Sequence, residues 1–187
     1  MKVLLDVDGV LADLTGALSK ASAGLFAPED VTSYNFADCL SKKALAVVNR
    51  CMVEPGFVER LPECKGAISL FADLTCAGHK PVFVTKPYHK SPTWTYERTR
   101  WLEKTFGAAL EIVHTGHKHL IHGDVLVEDS IENAHGWLVH HPKAWVIIVD
   151  RPWNQAALPW RCTRVSELEE IPKLLGEEEA ARGRKNH

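Results

Sequence analysis

Short apolar runs alternate with longer periodic stretches along this chain, and the alternation predicts its architecture. Runs of strand length fall at Val3 to Val7, Pro81 to Thr85, Leu110 to His114, Val125 to Val127 and Ala144 to Val149. Between them, Pro92 to Phe106 predicts a helix, with Ser91 as its N-cap, Pro92 in the first turn and Gly107 at the stop. Ser166-Glu167-Leu168-Glu169 matches a capping box that opens a last helix to about Leu175. The charged tail, residues 177–187, is expected to fray or stay flexible. Strands alternating with helices in this way predict an α/β fold, a Rossmann-like parallel sheet with helices on both faces.

One interval breaks the rhythm. Asp8 and Pro81 lie too far apart for a plain strand–helix–strand crossover, which takes about 30 residues. Ser41 to Glu54 places Ala44, Leu45, Val48 and Met52 at helical spacing. The turn-forming Glu54-Pro55-Gly56-Phe57 follows, then a second helical stretch from Gly66 to Cys76. The division expected is an α/β core of residues 1–13 and 79–176, with a small helical cap, residues 14–78, inserted after the first strand.

The polar residues fall where such a sheet binds ligands, at the carboxyl ends of its strands. Asp6 and Asp8 end the first strand, Thr85 the second, and Glu128-Asp129 the fourth. Two carboxylates one residue apart raise each other's pKa unless a cation shares them. A hard divalent ion with oxygen ligands, Mg2+ above all, is the simplest remedy; an Asp-capped turn is the plain alternative. On the following helix, Trp94, Trp101, Leu102 and Thr105 form one stripe, and Arg98 falls on it. A guanidinium there needs an anion, a neighbouring carboxylate such as Glu97 or Glu103, or a path to solvent. Lys118, ahead of the fourth strand, offers a point charge for a phosphate.

Bulk properties narrow the classes. The 187 residues suit one domain, and a net charge of −2 gives no footprint for nonspecific nucleic-acid binding. No apolar run reaches the length of a membrane span, and Met1-Lys2 leads straight into a strand without a secretory signal. Cys39, Cys51, Cys64, Cys76 and Cys162 are an odd, scattered set, so free thiols in a reducing compartment, the cytoplasm, are expected.

These residues resemble the haloacid dehalogenase-like phosphohydrolases. Asp6-Val7-Asp8-Gly9-Val10 is similar to the first motif of that superfamily, Thr85 to the second, Lys118 to the third and Glu128-Asp129 to the fourth. Within it the chain most resembles the 5'(3')-deoxyribonucleotidase family, through Ser33-Tyr34-Asn35-Phe36, Glu54-Pro55-Gly56-Phe57, Glu97 through Gly107 and Asp150-Arg151-Pro152-Trp153-Asn154. It departs from that family at Lys86, where the family has Ser, and at His89 and Arg98, which stand at lysine positions. Leu14 stands where an aromatic lines the family's base pocket, and the fourth motif reads Glu-Asp rather than Asp-Asp.

The resemblance implies an Mg2+-dependent phosphomonoesterase acting through an aspartyl-phosphate, most simply on (deoxy)nucleoside monophosphates. Asp6 would be the nucleophile and Asp8 the general acid and base. Thr85, Lys86, Arg98 and Lys118 would surround the phosphate, with Tyr34, Phe36 and Leu14 toward a base or sugar. Mg2+ would be held by the Asp6 carboxylate, the Asp8 carbonyl and Asp129, with Glu128 orienting a metal-bound water or serving as the alternative ligand. The partner implied is a small-molecule phosphate ester, with no nucleic-acid polymer and no membrane, and with room for a homodimer.

Other readings stay open at this point. The same chemistry suits a sugar phosphate. A phosphoreceiver module also joins an α/β sheet to acids, a Thr and a Lys, but it carries its phosphoacceptor after the third strand, where this chain has His114, and has no place for a cap. His114, His117, His119 and His122 are a further metal-ligand candidate, although their spacing matches no closed zinc site.

Overall fold

The computed structural model describes residues 1–185. Six strands form one sheet in the order β3-β2-β1-β4-β5-β6, every neighbouring pair parallel. They are β1 (Lys2–Leu5), β2 (Lys80–Thr85), β3 (Ile112–His114), β4 (Val125–Glu128), β5 (Trp145–Val149) and β6 (Cys162–Val165). The helices are α1 (Leu14–Ala21), α2 (Lys42–Cys51), α3 (Ala67–Cys76), α4 (Trp94–Phe106), α5 (Ile131–His140) and α6 (Ile171–Lys185).

The central strands read as apolar runs because both faces of the sheet are covered there. Val3, Leu5, Phe83, Val127 and Ile147 point into one core, which also takes up buried residues of α1, α2, α3, α4 and α6. Leu4, Val84, Leu126 and Ile148 point the other way, onto Ala134, Trp137 and Leu138 of α5. Within the larger core the Phe83 ring lies 5.5 Å from that of Phe71 and 5.1 Å from that of Phe106, tying β2 to α3 and α4.

Chain order places the crevice. From β1 the chain builds outward through β2 and β3, then returns to the opposite side of β1 for β4, β5 and β6. The loops after β1, β2 and β4 therefore diverge at one rim, the switch point where such sheets bind ligands. Over that rim lies the stretch 14–61, in which α1 packs on α2 and the short turn Val58–Arg60 packs on α4. Helix α3 packs on β2, α4 and α6 and so belongs to the layer that covers the sheet.

Local differences from the sequence reading have physical causes. β1 ends at Leu5, not Val7, because the Val7 N–H turns back to Asp6 Oδ1 at 2.7 Å. β3 starts at Ile112 rather than Leu110. α4 starts at Trp94 with Thr93 as its N-cap, since the Ser91 hydroxyl meets the Thr93 hydroxyl at 3.4 Å instead of a backbone N–H. The capping box is shifted by one: Glu170, not Glu169, accepts from the N–H groups of Ser166 and Glu167, each at 2.8 Å. α6 does not stop at Leu175 but continues to Lys185. Glu179 holds it back against the core, 3.7 Å from the N-terminal ammonium and 3.6 Å from His79 Nδ1. The last two residues of the expected tail lie outside the described residues. All five cysteines are free thiols. Among the described residues no helix is long and apolar enough to cross a membrane.

Candidate active site

Asp6 is the first residue after β1, and the turn that follows it is tight. Val7 O accepts from the N–H groups of Leu11 and Ala12, each at 2.8 Å, which folds the segment back on itself. Gly9 makes this possible at φ +79°, and a Cβ there would lie 2.0 Å from Asp129 Oδ2. The turn and the end of β4 thus approach as closely as only glycine permits. The loop after β5 fixes both from the side. Arg151 Nε donates to Gly9 O at 2.8 Å, and Asn154 Nδ2 donates to the carbonyls of Asp129 and Val149 at 2.9 and 2.8 Å.

Three buried carboxylates meet here. Asp6, Glu128 and Asp129 each offer one oxygen, all within 4.8 Å of one another. Lys118 is buried with them, its Nζ 2.6 Å from Asp6 Oδ1 and 2.7 Å from Glu128 Oε2. One ammonium against three carboxylates leaves the cluster negative. Burial and the nearby Glu128 push the Asp6 carboxyl well above the ordinary range, against the pull of Lys118. Burial, Glu128 and Asp6 do the same to Asp129. For Glu128 burial is outweighed by Lys118, which holds it below its usual value. For Lys118 burial is outweighed by its two carboxylate partners, so it stays protonated.

The donor set separates Glu128 from Asp129. Glu128 accepts from Lys118, from Asn133 Nδ2 at 3.2 Å and from the N–H groups of Asp129 and Ser130 at 3.3 and 3.2 Å, so its oxygens are fully engaged. Asp129 Oδ2 accepts only Trp153 Nε1, at 3.2 Å, and its Oδ1 is buried without a partner. A buried carboxylate oxygen with no donor to accept from is suited to ligate a cation. The Asp8 carbonyl oxygen also accepts no hydrogen bond among the described residues. This all-oxygen set fits Mg2+.

Asp6, Asp8, Lys118, Asp129 and Lys86 line one cavity of about 380 Å³. Its far wall comes from the stretch over the rim, including Leu14, Tyr34 and Phe36. Thr85, Arg98 and Glu128 do not line the cavity; each is buried, Thr85 and Glu128 at the ends of β2 and β4 next in sequence to the lining residues Lys86 and Asp129. The Thr85 hydroxyl has no partner. Arg98 meets neither Glu97, Glu103 nor solvent: its guanidinium pairs with Asp8. Trp153 and Asn154, in the loop after β5, also hold the site together, and their signal in the sequence is that place beyond a strand end.

The histidines do not converge on a metal position. His119 stacks near His140 with ring centres 4.7 Å apart, and His122 near His141 at 4.9 Å. His114 lies apart, bonded through Nε2 to the Thr99 hydroxyl at 3.0 Å. Among the described residues the acidic trio is the only group of three or more such side chains with ligand atoms close enough to share an ion.

A pH signature follows from the raised carboxyls. A group whose folded-state pKa is raised contributes stability that is complete below its unfolded value and lost as pH rises through the folded one. Without divalent cations, Asp129→Asn is therefore expected to exceed wild type in urea midpoint at pH 8, with the advantage shrinking toward pH 5. Comparison with the variant is needed because burial lowers the pKa of His114 and His141, which lose stability in the opposite sense as pH falls. An advantage independent of pH would contradict the assignment.

A profile of the 5' nucleotidase, deoxy (Pyrimidine), cytosolic type C proteins matches residues 1–178. A Bordetella parapertussis protein with a provisional 5'(3')-deoxyribonucleotidase name is 28% identical over 86% of this chain and 92% of its own. The human mitochondrial 5'(3')-deoxyribonucleotidase is 28% identical over 69% of this chain and 62% of its own. Among solved structures, a haloacid dehalogenase-family hydrolase from Deinococcus radiodurans, with bound phosphate and sodium, superimposes with a TM-score of 0.63 at 18% identity, over 94% of this chain and 95% of that one. The similarity to that structure is one of fold alone. This chain has the haloacid dehalogenase-like fold, is a phosphatase, and belongs to the 5' nucleotidase, deoxy (Pyrimidine), cytosolic type C family.

Proposed function

We propose that this phosphatase hydrolyses (deoxy)nucleoside monophosphates through an aspartyl-phosphate, with Mg2+ as its cofactor. The observation that carries the reading is the setting of Asp6. It lies on the floor of the cavity, held by a buried lysine, with a partnerless Asp129 oxygen and a partnerless Thr85 hydroxyl close to the same rim.

In this reading Lys118 aims Asp6 and favours its ionised form, and the Asp6 carboxylate attacks phosphorus. Asp8 gives its proton to the departing ester oxygen, then takes one from the water that cleaves the acyl phosphate. Thr85 donates its hydroxyl to a phosphoryl oxygen, while Lys118 and Lys86 offset the charge that develops on the others. Asp6, Asp129 and the Asp8 carbonyl hold Mg2+, which when bound neutralises phosphoryl oxygens. Glu128 holds Lys118 from behind. The nucleoside lies against the apolar and aromatic wall of Leu14, Tyr34, Phe36 and Trp94, which suits a flat base better than a hydroxyl-covered sugar.

Turnover of deoxynucleoside monophosphates beside hexose phosphates, each with Mg2+ and with chelator, tests this directly. The expected result is a kcat/KM advantage of at least about tenfold for a nucleotide, about 1.4 kcal/mol in transition-state binding, and loss of activity with chelator. Better turnover of the hexose phosphates would overturn the substrate; full activity in chelator would overturn the cofactor.

A further inference from the structure

Arg98 is fully buried, an unusual place for a guanidinium, and it is clamped there. Its central carbon lies 5.6 Å from the ring centre of Trp94 and 5.4 Å from that of Trp101, so two indoles hold it. Nη2 pairs with Asp8 Oδ1, while Nε and Nη1 have no partner. Five N–H groups buried for one carboxylate make a poor device for stability, whatever the indole faces return.

The helix that carries Arg98 is itself fixed. Its neighbour Glu97 accepts from the N–H groups of Gly56 at 2.6 Å and Val58 at 3.1 Å, and Trp101 Nε1 donates to Leu61 O at 2.7 Å. α4 is thereby pinned to the stretch over the rim, and what Arg98 grips is held in register with the cavity. Arg98 does not reach the cavity wall; Asp8 does, and its Oδ2 has no protein partner among the described residues.

We infer that Arg98 is a positioning residue: it grips Asp8 by one oxygen so that the other delivers a proton to the leaving group. This deepens the aspartyl-phosphate reading and rests on it. As the Asp6 oxygen bonds to phosphorus and the ester P–O bond breaks, the proton on Asp8 Oδ2 passes to the ester oxygen. The alcohol departs neutral, and Asp8 is left as a carboxylate paired with Arg98. In the second step water bonds to phosphorus, the Asp6–phosphorus bond breaks to return the carboxylate, and the water proton goes to Asp8 Oδ2.

The leaving group reads this role. A nucleoside alkoxide cannot depart unprotonated, whereas p-nitrophenolate can, so only the first needs a well-placed acid. Alcohol release in the first turnover is measured with Mg2+ for a deoxynucleoside 5'-monophosphate and for p-nitrophenyl phosphate. For Arg98→Met the expected loss with the nucleotide is about 10²-fold, and at least about tenfold smaller with p-nitrophenyl phosphate. Arg98→Lys keeps a charge and is expected to recover about a tenfold share of the nucleotide rate. Equal losses on both substrates would overturn the inference, as would a raised KM with kcat retained, the mark of a direct phosphate contact. If Arg98→Met does not fold, Arg98→Lys decides by the same comparison: loss concentrated on the nucleotide supports the role, and equal loss rejects it. Two displacements at phosphorus retain its configuration, so inversion in wild-type turnover of an isotopically chiral phosphate ester removes the covalent reading itself, a failure distinct from either variant result.

Discussion

Asp6→Asn is expected to abolish turnover while leaving the fold as stable as before or more so. The amide keeps the shape of the side chain but cannot form an acyl phosphate, and removing a covalent nucleophile costs at least about 10⁴-fold in kcat. Stability responds in the opposite direction. Burial and Glu128 make ionised Asp6 an unfavourable occupant of its site, and the variant deletes that charge. Lys118 keeps Glu128 as a partner at 2.7 Å, so a one-to-one pair remains where one ammonium had faced two carboxylates. The measurements are steady-state turnover with Mg2+ and a urea midpoint at pH 7.5 without it. Activity within about tenfold of wild type removes Asp6 from the chemistry. A midpoint well below wild type would mean that the Asp6–Lys118 pair serves the fold rather than the reaction.

Antagonism of this kind, in which a group needed for chemistry weakens the structure around it, marks functional sites generally. Here it is concentrated at one rim of the sheet. The partnerless Thr85 hydroxyl, Asp129 Oδ1 and two Arg98 nitrogens are all buried polar atoms that the protein leaves unsatisfied. Each is a cost that folding alone does not explain.

The same contrast governs what the chain discloses as a string of letters. The central strands are legible because both faces of the sheet are buried, and a run such as Val82 to Val84 admits little else. β6 is not legible: it lies at the sheet edge, where Thr163 and Arg164 are only half buried, and its four residues carry no run. α5 had a signal in the spacing of Ala134, Trp137 and Leu138 and in Ser130, whose hydroxyl accepts from Asn133 N at 3.2 Å, but three histidines in and beside it blur its apolar face. In the site, Asp6, Asp8 and Asp129 announce themselves by position at strand ends and Lys118 by its place ahead of the fourth strand, and all four line one cavity. Partnerships between distant residues leave no local trace. The anion that Arg98 requires is Asp8, ninety positions earlier in the chain. Glu97, to all appearance a surface acid of a helix, is nearly buried and bonded to the backbone of Gly56 and Val58.

Lys118→Met carries the largest expected effect on the fold. The side chain is close in volume and apolar, so packing changes little, but the change orphans the charges around it. Asp6, Glu128 and Asp129 then share one buried site with no cation. Breaking a buried pair by deleting one partner costs about 3–5 kcal/mol, because the other charge stays buried. At about 2–4 °C per kcal/mol for a chain of this size, Tm is expected to fall by about 6–20 °C in chelator. Adding Glu128→Gln to Lys118→Met removes one orphan and should restore part of the loss, which a simple sum of the two single changes does not predict. Mg2+ should raise Tm more in Lys118→Met than in wild type, since the ion meets a more negative cluster. Activity is not expected to return with it: kcat should stay about 10²- to 10³-fold down, because the ammonium that aims Asp6 and meets the developing phosphoryl charge is gone. If Lys118→Met instead melts like wild type in chelator, Asp6 and Asp129 are already protonated at neutral pH, and the cluster waits for its metal as acids rather than as carboxylates.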